Sequence, residues 1–186
     1  MFSSFQVEDD AFEGLTSLEY LDLSDNKILS LPASALGRLS GLRRFKIDYN
    51  RIGAVSADLL AAVPRLEELS LAFNILRDFP SDTFAGLSDL KILNLHGNQL
   101  SSVGPETFSG ANANLEYLDL GFNAIGEVGE ISFPALKYLN LEKNKLRSVE
   151  GSFNLLSALQ VSALDISIGQ ASTVLYCLYL QLLRLI

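Results

Sequence analysis

The sequence predicts a solenoid, a stack of similar coils that each contribute one short strand to a shared parallel sheet. Three observations predict it. The pattern LxxLxLxxN occurs six times: LEYLDLSDN from Leu18, LRRFKIDYN from Leu42, LEELSLAFN from Leu66, LKILNLHGN from Leu90, LEYLDLGFN from Leu115 and LKYLNLEKN from Leu136, with Phe or Ile standing in for Leu in the second. The starts lie 24, 24, 24, 25 and 21 residues apart. Finally, 48% of the 186 residues are apolar and only 19% are charged, which provides for a core and argues against global disorder. One such unit cannot bury its own leucines, whereas stacked neighbours can.

Within a unit the elements follow in order. Leu21-Asp22-Leu23 alternates apolar and polar residues, the period of a strand with one buried face. A turn containing Asn26 follows, and Ile28 and Leu31 then point back inward. Several repeats next carry Pro (Pro32, Pro80, Pro105), which cannot continue a strand ladder. A Phe-centred segment comes last: AFEGL at Ala11, TFAGL at Thr83, TFSGA at Thr107, with Phe12, Phe84 and Phe108 expected to fill the far side of the core. The ninth position is always Asn: Asn26, Asn50, Asn74, Asn98, Asn123 and Asn144. A carboxamide both donates and accepts, so this column is expected to be buried and to satisfy main-chain groups of its own and the adjacent coil.

These residues resemble the leucine-rich repeat family in its 24-residue extracellular subclass, over about residues 5 to 158. Strings such as LDLSDN, LHGNQL and LDLGFNAI are similar to chaoptin-like and Toll-like receptor repeats of arthropods. Residues 2–15 match the second half of a preceding repeat, with Val7 and Phe12 where Phe79 and Phe84 sit later. The resemblance implies an α/β horseshoe with a parallel β-sheet on the concave face and short 3-10 or irregular convex segments. It implies a solenoid over 1–158, followed over 159–186 by a degenerate repeat and an apolar non-family tail. It also implies a non-enzymatic protein–protein recognition module from a longer cell-surface adhesion or receptor ectodomain. The alternative is an intracellular scaffold or regulatory subunit of a cytosolic enzyme, in keeping with an N-terminus that does not read as a secretory signal and with no N-x-Ser/Thr sequon.

The pattern breaks twice. The fifth unit has 21 residues, so the missing ones are expected to come off the convex side. After Phe153 the repeat decays, with Leu159, Ser162, Leu164 and Ser167 expected at positions one, four, six and nine. The apolar stretch from Val174 to Ile186 reads as an appended non-family segment, a cap over the last coil or the start of an anchor, and can promote self-association. The single cysteine, Cys177, lies in it and reads as a small hydrophobe.

Composition excludes several chemistries. With 14 Lys and Arg against 22 Asp and Glu, the net charge of -8 argues against a nucleic-acid partner. One His and one Cys exclude a zinc cluster. No nucleophile, metal or nucleotide motif is present, so no catalytic residue, metal or cofactor is expected. His96 has Ser70 and Asp119 on adjacent strands, expected to be exposed and within hydrogen-bonding reach.

Binding remains. Equivalent positions of adjacent strands align about 4.8 Å apart on the concave face. The expected ligand-binding residues are Tyr20, Asp22, Arg44, Lys46, Glu68, Asn94, His96, Tyr117, Asp119, Tyr138, Asn140 and Glu142. They include part of an aromatic cluster (Tyr117, Phe122, Tyr138, with Tyr49 and Phe73 farther along) and part of a mildly acidic one (Asp22, Asp48, Asp119, Glu142). Tyr117 and Tyr138 read as ligand contacts. Phe73 and Phe122 read equally well as ligand contacts or as packing at the core margin.

Overall fold

The structure is a computed structural model that describes residues 6–129 and 132–146 together with the backbone of residues 164 and 165. The strands are β1 (Tyr20–Asp22), β2 (Arg44–Lys46), β3 (Glu68–Ser70), β4 (Ile92–Asn94), β5 (Ser102–Val103), β6 (Tyr117–Asp119), β7 (Glu127–Val128), β8 (Tyr138–Asn140) and β9 (Leu164–Asp165). Seven of them form one parallel sheet in the order β1-β2-β3-β4-β6-β8-β9. Register follows the repeat: Tyr20 faces Arg44, Arg44 faces Glu68, Glu68 faces Ile92, Ile92 faces Tyr117 and Tyr117 faces Tyr138. From coil two onwards the middle residue of each described strand (Phe45, Leu69, Leu93, Leu118, Leu139) is buried, so one face of the sheet is core and the other is open.

The strands are short because the eighth position turns the chain. Asp25, Tyr49, Phe73, Gly97, Phe122 and Lys143 all have φ between 51° and 67°. Three of these are aromatic, in a region that bulky side chains occupy only when their surroundings hold them there. The main chain supplies that support. The N–H of Tyr49 donates to Ala72 O at 2.9 Å, that of Phe73 to His96 O at 2.7 Å and that of Phe122 to Glu142 O at 2.7 Å. The turn then aims each ninth-position Asn inward. Asn74 Nδ2 donates to the carbonyls of Leu71 and Ala72 in its own coil and of Ile47 in the preceding one, while its Oδ1 accepts from Ile52 N. Asn50, Asn98 and Asn123 repeat this arrangement, and all four are buried. Burial fails at the ends: Asn144 is half-buried, and Asn26 is exposed, its bonds among the described residues going to Leu23 O and Ser24 O of its own coil.

The convex side holds single helical turns in two coils, α1 (Ala33–Leu36) and α2 (Ala57–Ala61), the latter capped by Ser56 Oγ accepting from Leu59 N at 3.2 Å. Between Asp82 and Leu90 the chain instead makes turns closed by bonds such as Ala85 N to Asp82 O. Phe84, Phe108 and Phe133 are fully buried and stack along the far side of the core, with centroids 6.0 and 5.4 Å apart. A two-stranded parallel sheet, β5 with β7, adds an element that the repeat pattern does not announce.

The short fifth unit keeps register on the concave side, so its deletion falls in the arc between Asn123 and Leu136. Strand β9 corrects an expectation. Leu164 pairs with Leu139, which puts it at position four rather than six. The segment is therefore VSALDISIG, with Val161 at position one and Gly169 in place of Asn. The expected register matched the leucines and overlooked Val161 and Ile166. The apolar stretch 174–186 and Cys177 lie outside the described residues.

Candidate binding face

Each outward column of the sheet has its own chemistry, and position five is largely committed to structure. The N–H of every seventh residue needs an acceptor, because the strand has ended and the turn has begun. In four coils the fifth-position side chain supplies it: Asp22 Oδ1 accepts from Ser24 N, Asn94 Oδ1 from His96 N, Asp119 Oδ1 from Gly121 N and Asn140 Oδ1 from Glu142 N, at 2.8 to 3.1 Å. Coil two has Lys46 there, and Ser24 Oγ accepts from Asp48 N instead. Coil three has Ser70, and Asp48 Oδ1 accepts from Ala72 N at 2.7 Å. The mildly acidic cluster is thus in good part a set of turn acceptors.

The second carboxylate oxygen is engaged as well. Tyr20 Oη donates to Asp22 Oδ2 at 3.0 Å, and Tyr117 Oη to Asp119 Oδ2 at 3.4 Å. The Ser24 hydroxyl and N–H hold the Asp22 carboxyl below its ordinary range. Burial, with the Asp119 charge second, pushes the Tyr117 phenol far above its ordinary value, so it stays a neutral donor.

Position three faces outward. On β1 to β3 it is polar and paired: the Arg44 guanidinium lies 5.1 Å from the Tyr20 ring centroid, and Glu68 meets Lys46 at 3.1 Å. On β4, β6 and β8 it is apolar and aromatic. Ile92 is 38% exposed, and beside it Tyr117 and Tyr138 stack face to face, with centroids 4.4 Å apart and planes 4° apart.

A second aromatic row runs along the turn. Tyr49 stacks on Phe73 at 4.4 Å, Phe73 meets His96 at 5.2 Å and His96 meets Phe122 at 4.9 Å. Tyr49, Phe73 and Phe122 are 53%, 41% and 47% exposed, so these rings pack sideways on their neighbours while keeping about half of their surface open. Coil four joins the row through position seven because its eighth residue is Gly97: a Cβ there would lie 2.6 Å from Phe73 Cδ1. His96 also sits 3.1 Å from Asp119 Oδ1. The expected exposure of Ser70 and Asp119 is corrected: both are buried, and Ser70 Oγ donates to Asp48 Oδ1 rather than serving His96. His96, set between the Phe73 and Phe122 rings and bonded to Asp119, is a fixed polar edge in an aromatic row.

The structure therefore brings Ile92, His96, Tyr117, Tyr138 and Phe122 to one half of the open face, while Tyr20, Arg44, Lys46 and Glu68 form a separate charged group. Glu142 is half-buried at the far end. Position two was missed in the sequence. It reads Glu19, Arg43, Glu67, Lys91, Glu116, Lys137, alternating in sign, and pairs as Arg43–Glu67 at 2.5 Å, Lys91–Glu67 at 2.9 Å and Lys137–Glu116 at 2.6 Å. Among the described residues no group of three or more His, Cys, Asp or Glu is placed to hold a metal, and no helix is long and apolar enough to cross a membrane.

A parallel repeat solenoid with one open sheet face defines a class of protein–protein interaction modules. The leucine-rich repeat family model matches residues 5–61 and 64–125, and a two-copy leucine-rich repeat model matches 113–160, so the chain belongs to the leucine-rich repeat family. No curated protein matches it. Among solved structures it is similar to the APL1 leucine-rich repeat domain, at 22% identity and TM-score 0.68, covering 75% of this chain and 36% of that one. It resembles TLR13 in its complex with ssRNA13, at 26% identity and TM-score 0.67, covering 86% and 27%. A chain of the LRIM1/APL1C complex matches at 22% identity and TM-score 0.67, covering 75% and 26%. The chain thus spans about a quarter to a third of the length of these proteins.

Proposed function

We propose that the chain is the protein-recognition part of a cell-surface adhesion or receptor ectodomain, and that it binds a protein partner through the β4–β6–β8 half of its concave sheet. The observation that carries this is the stacked Tyr117–Tyr138 pair beside exposed Ile92. Rings already held in one arrangement lose little entropy when a partner covers them, and Tyr offers large area with a polar tip. The 24-residue period and the likeness to APL1 and TLR13 chains support the ectodomain setting. A protein is favoured over a nucleic acid because the cations of the third and fifth columns, Arg44 and Lys46, lie in the other half and are engaged by Tyr20 and Glu68.

The test is a pull-down from source-tissue extract with the wild type, with Tyr117→Ala/Tyr138→Ala and with Arg44→Ala/Lys46→Ala. Recovery of a partner is expected to fall about tenfold or more for the tyrosine variant, as for hot-spot residues, and to change little for the charged one. Equal recovery with all three proteins would sink the assignment.

A further inference from the structure

The far-side phenylalanine column is interrupted. Ten residues after the ladder asparagine stand Phe84, Phe108 and Phe133 in coils three to five, but Leu36 and Leu60 in coils one and two. Five residues after it stands Phe79 in coil three, packed on Phe84 at 5.0 Å, but Val55 in coil two. Where the larger rings are absent the structure holds a cavity of about 260 Å³. Its floor is Phe45, Ile47, Leu69 and Leu71 from β2, β3 and the residues that follow them, and Val55 and Leu60 line its wall. All six are buried, in a core otherwise packed by fully buried leucine and phenylalanine.

No charged residue lines this space, and its polar lining residues are exposed Ser30 and Ser56. Ser56 Oγ already accepts from Leu59 N, which leaves its hydroxyl proton free to donate outward. The space is open to solvent on one side, and its volume exceeds the about 150 Å³ of an apolar cavity that takes up benzene. We infer that this cavity is a binding site for one small neutral apolar molecule, larger than benzene and carrying at most one hydroxyl or carbonyl oxygen, which accepts from Ser56 at the rim. The site is separate from the concave face and independent of the partner proposed above. A charge carried into the space past the rim is disfavoured by the cost of leaving it unpaired among these side chains.

The experiment titrates the full chain with 1-naphthol, followed by its fluorescence and by the melting temperature, with 1-naphthoate as the charged comparator. Saturable binding of 1-naphthol at one site is expected, with no competition from 1-naphthoate. Leu60→Phe restores the ring found in coils three to five. It is expected to weaken 1-naphthol binding by at least about tenfold without lowering the melting temperature of the unliganded chain, since it fills space instead of overpacking it. Val55→Phe repeats the test from the other wall should Leu60→Phe not fold by circular dichroism. Absence of saturable binding to the wild type would overturn the inference, as would 1-naphthoate binding as tightly. Wild-type affinity in a folded Leu60→Phe or Val55→Phe chain would assign the binding elsewhere and overturn it too.

Discussion

The two halves of the concave sheet share one backbone and differ in what they do with their outward side chains. In the β1–β3 half, Tyr20 bonds to Asp22, Arg44 covers Tyr20 and Lys46 meets Glu68, so exposed polar groups satisfy one another. In the β4–β8 half the same Tyr-x-Asp unit recurs at Tyr117 and Asp119, but Asp119 is buried and bonds to His96, which meets Phe122, while Tyr117 stacks on Tyr138. Identical local bonds thus carry different energies, because burial decides what losing one costs.

That contrast can be broken most sharply at the two aspartates. Asp119→Ala leaves the buried Gly121 N–H and His96 without their acceptor and is expected to cost about 2–3 kcal/mol of stability. Asp22→Ala removes the equivalent bond from solvated Ser24 and is expected to cost under about 1 kcal/mol. Urea unfolding of both variants gives the comparison, and equal losses would contradict the role assigned to burial. Gly97→Ala comes next. It places a Cβ at φ 67° against the Phe73 ring and is expected to cost about 1–3 kcal/mol, read as a lower melting temperature, with loss of the near-ultraviolet signal of the aromatic row. Smallest is the Lys46–Glu68 pair. Both side chains are partly solvated, so a double-mutant cycle is expected to give below about 1 kcal/mol and to shrink with added salt.

Much of this is legible in the sequence alone. Period and alternation determine strand, register and core face, because a one-residue slip would expose every leucine. The carboxamide ladder was legible for the same reason, except at its exposed first rung, where neighbour-dependence makes position in the stack matter more than residue type. The turn was less legible. Tyr49, Phe73 and Phe122 occupy the left-handed region against their own preference, and only inter-coil hydrogen bonds explain why. The acceptor role of position five was hidden by its relocation to Ser24 and Asp48 in coils two and three. The alternating charges of position two are present in the sequence, but their pairing depends on the in-register stacking of the coils. Strand β9 was misplaced by two residues because Val161 and Ile166 were not counted as leucine equivalents.

The most direct test of the central claim is site-specific photo-crosslinking to the partner recovered by pull-down. A benzophenone side chain is placed in turn at Ile92, at Tyr20 and at exposed Ser101, which lies outside the concave sheet just before β5. The account predicts a crosslinked product from Ile92 and none from Ser101, with Tyr20 weak or silent. A product from Ser101 with none from Ile92 would contradict it.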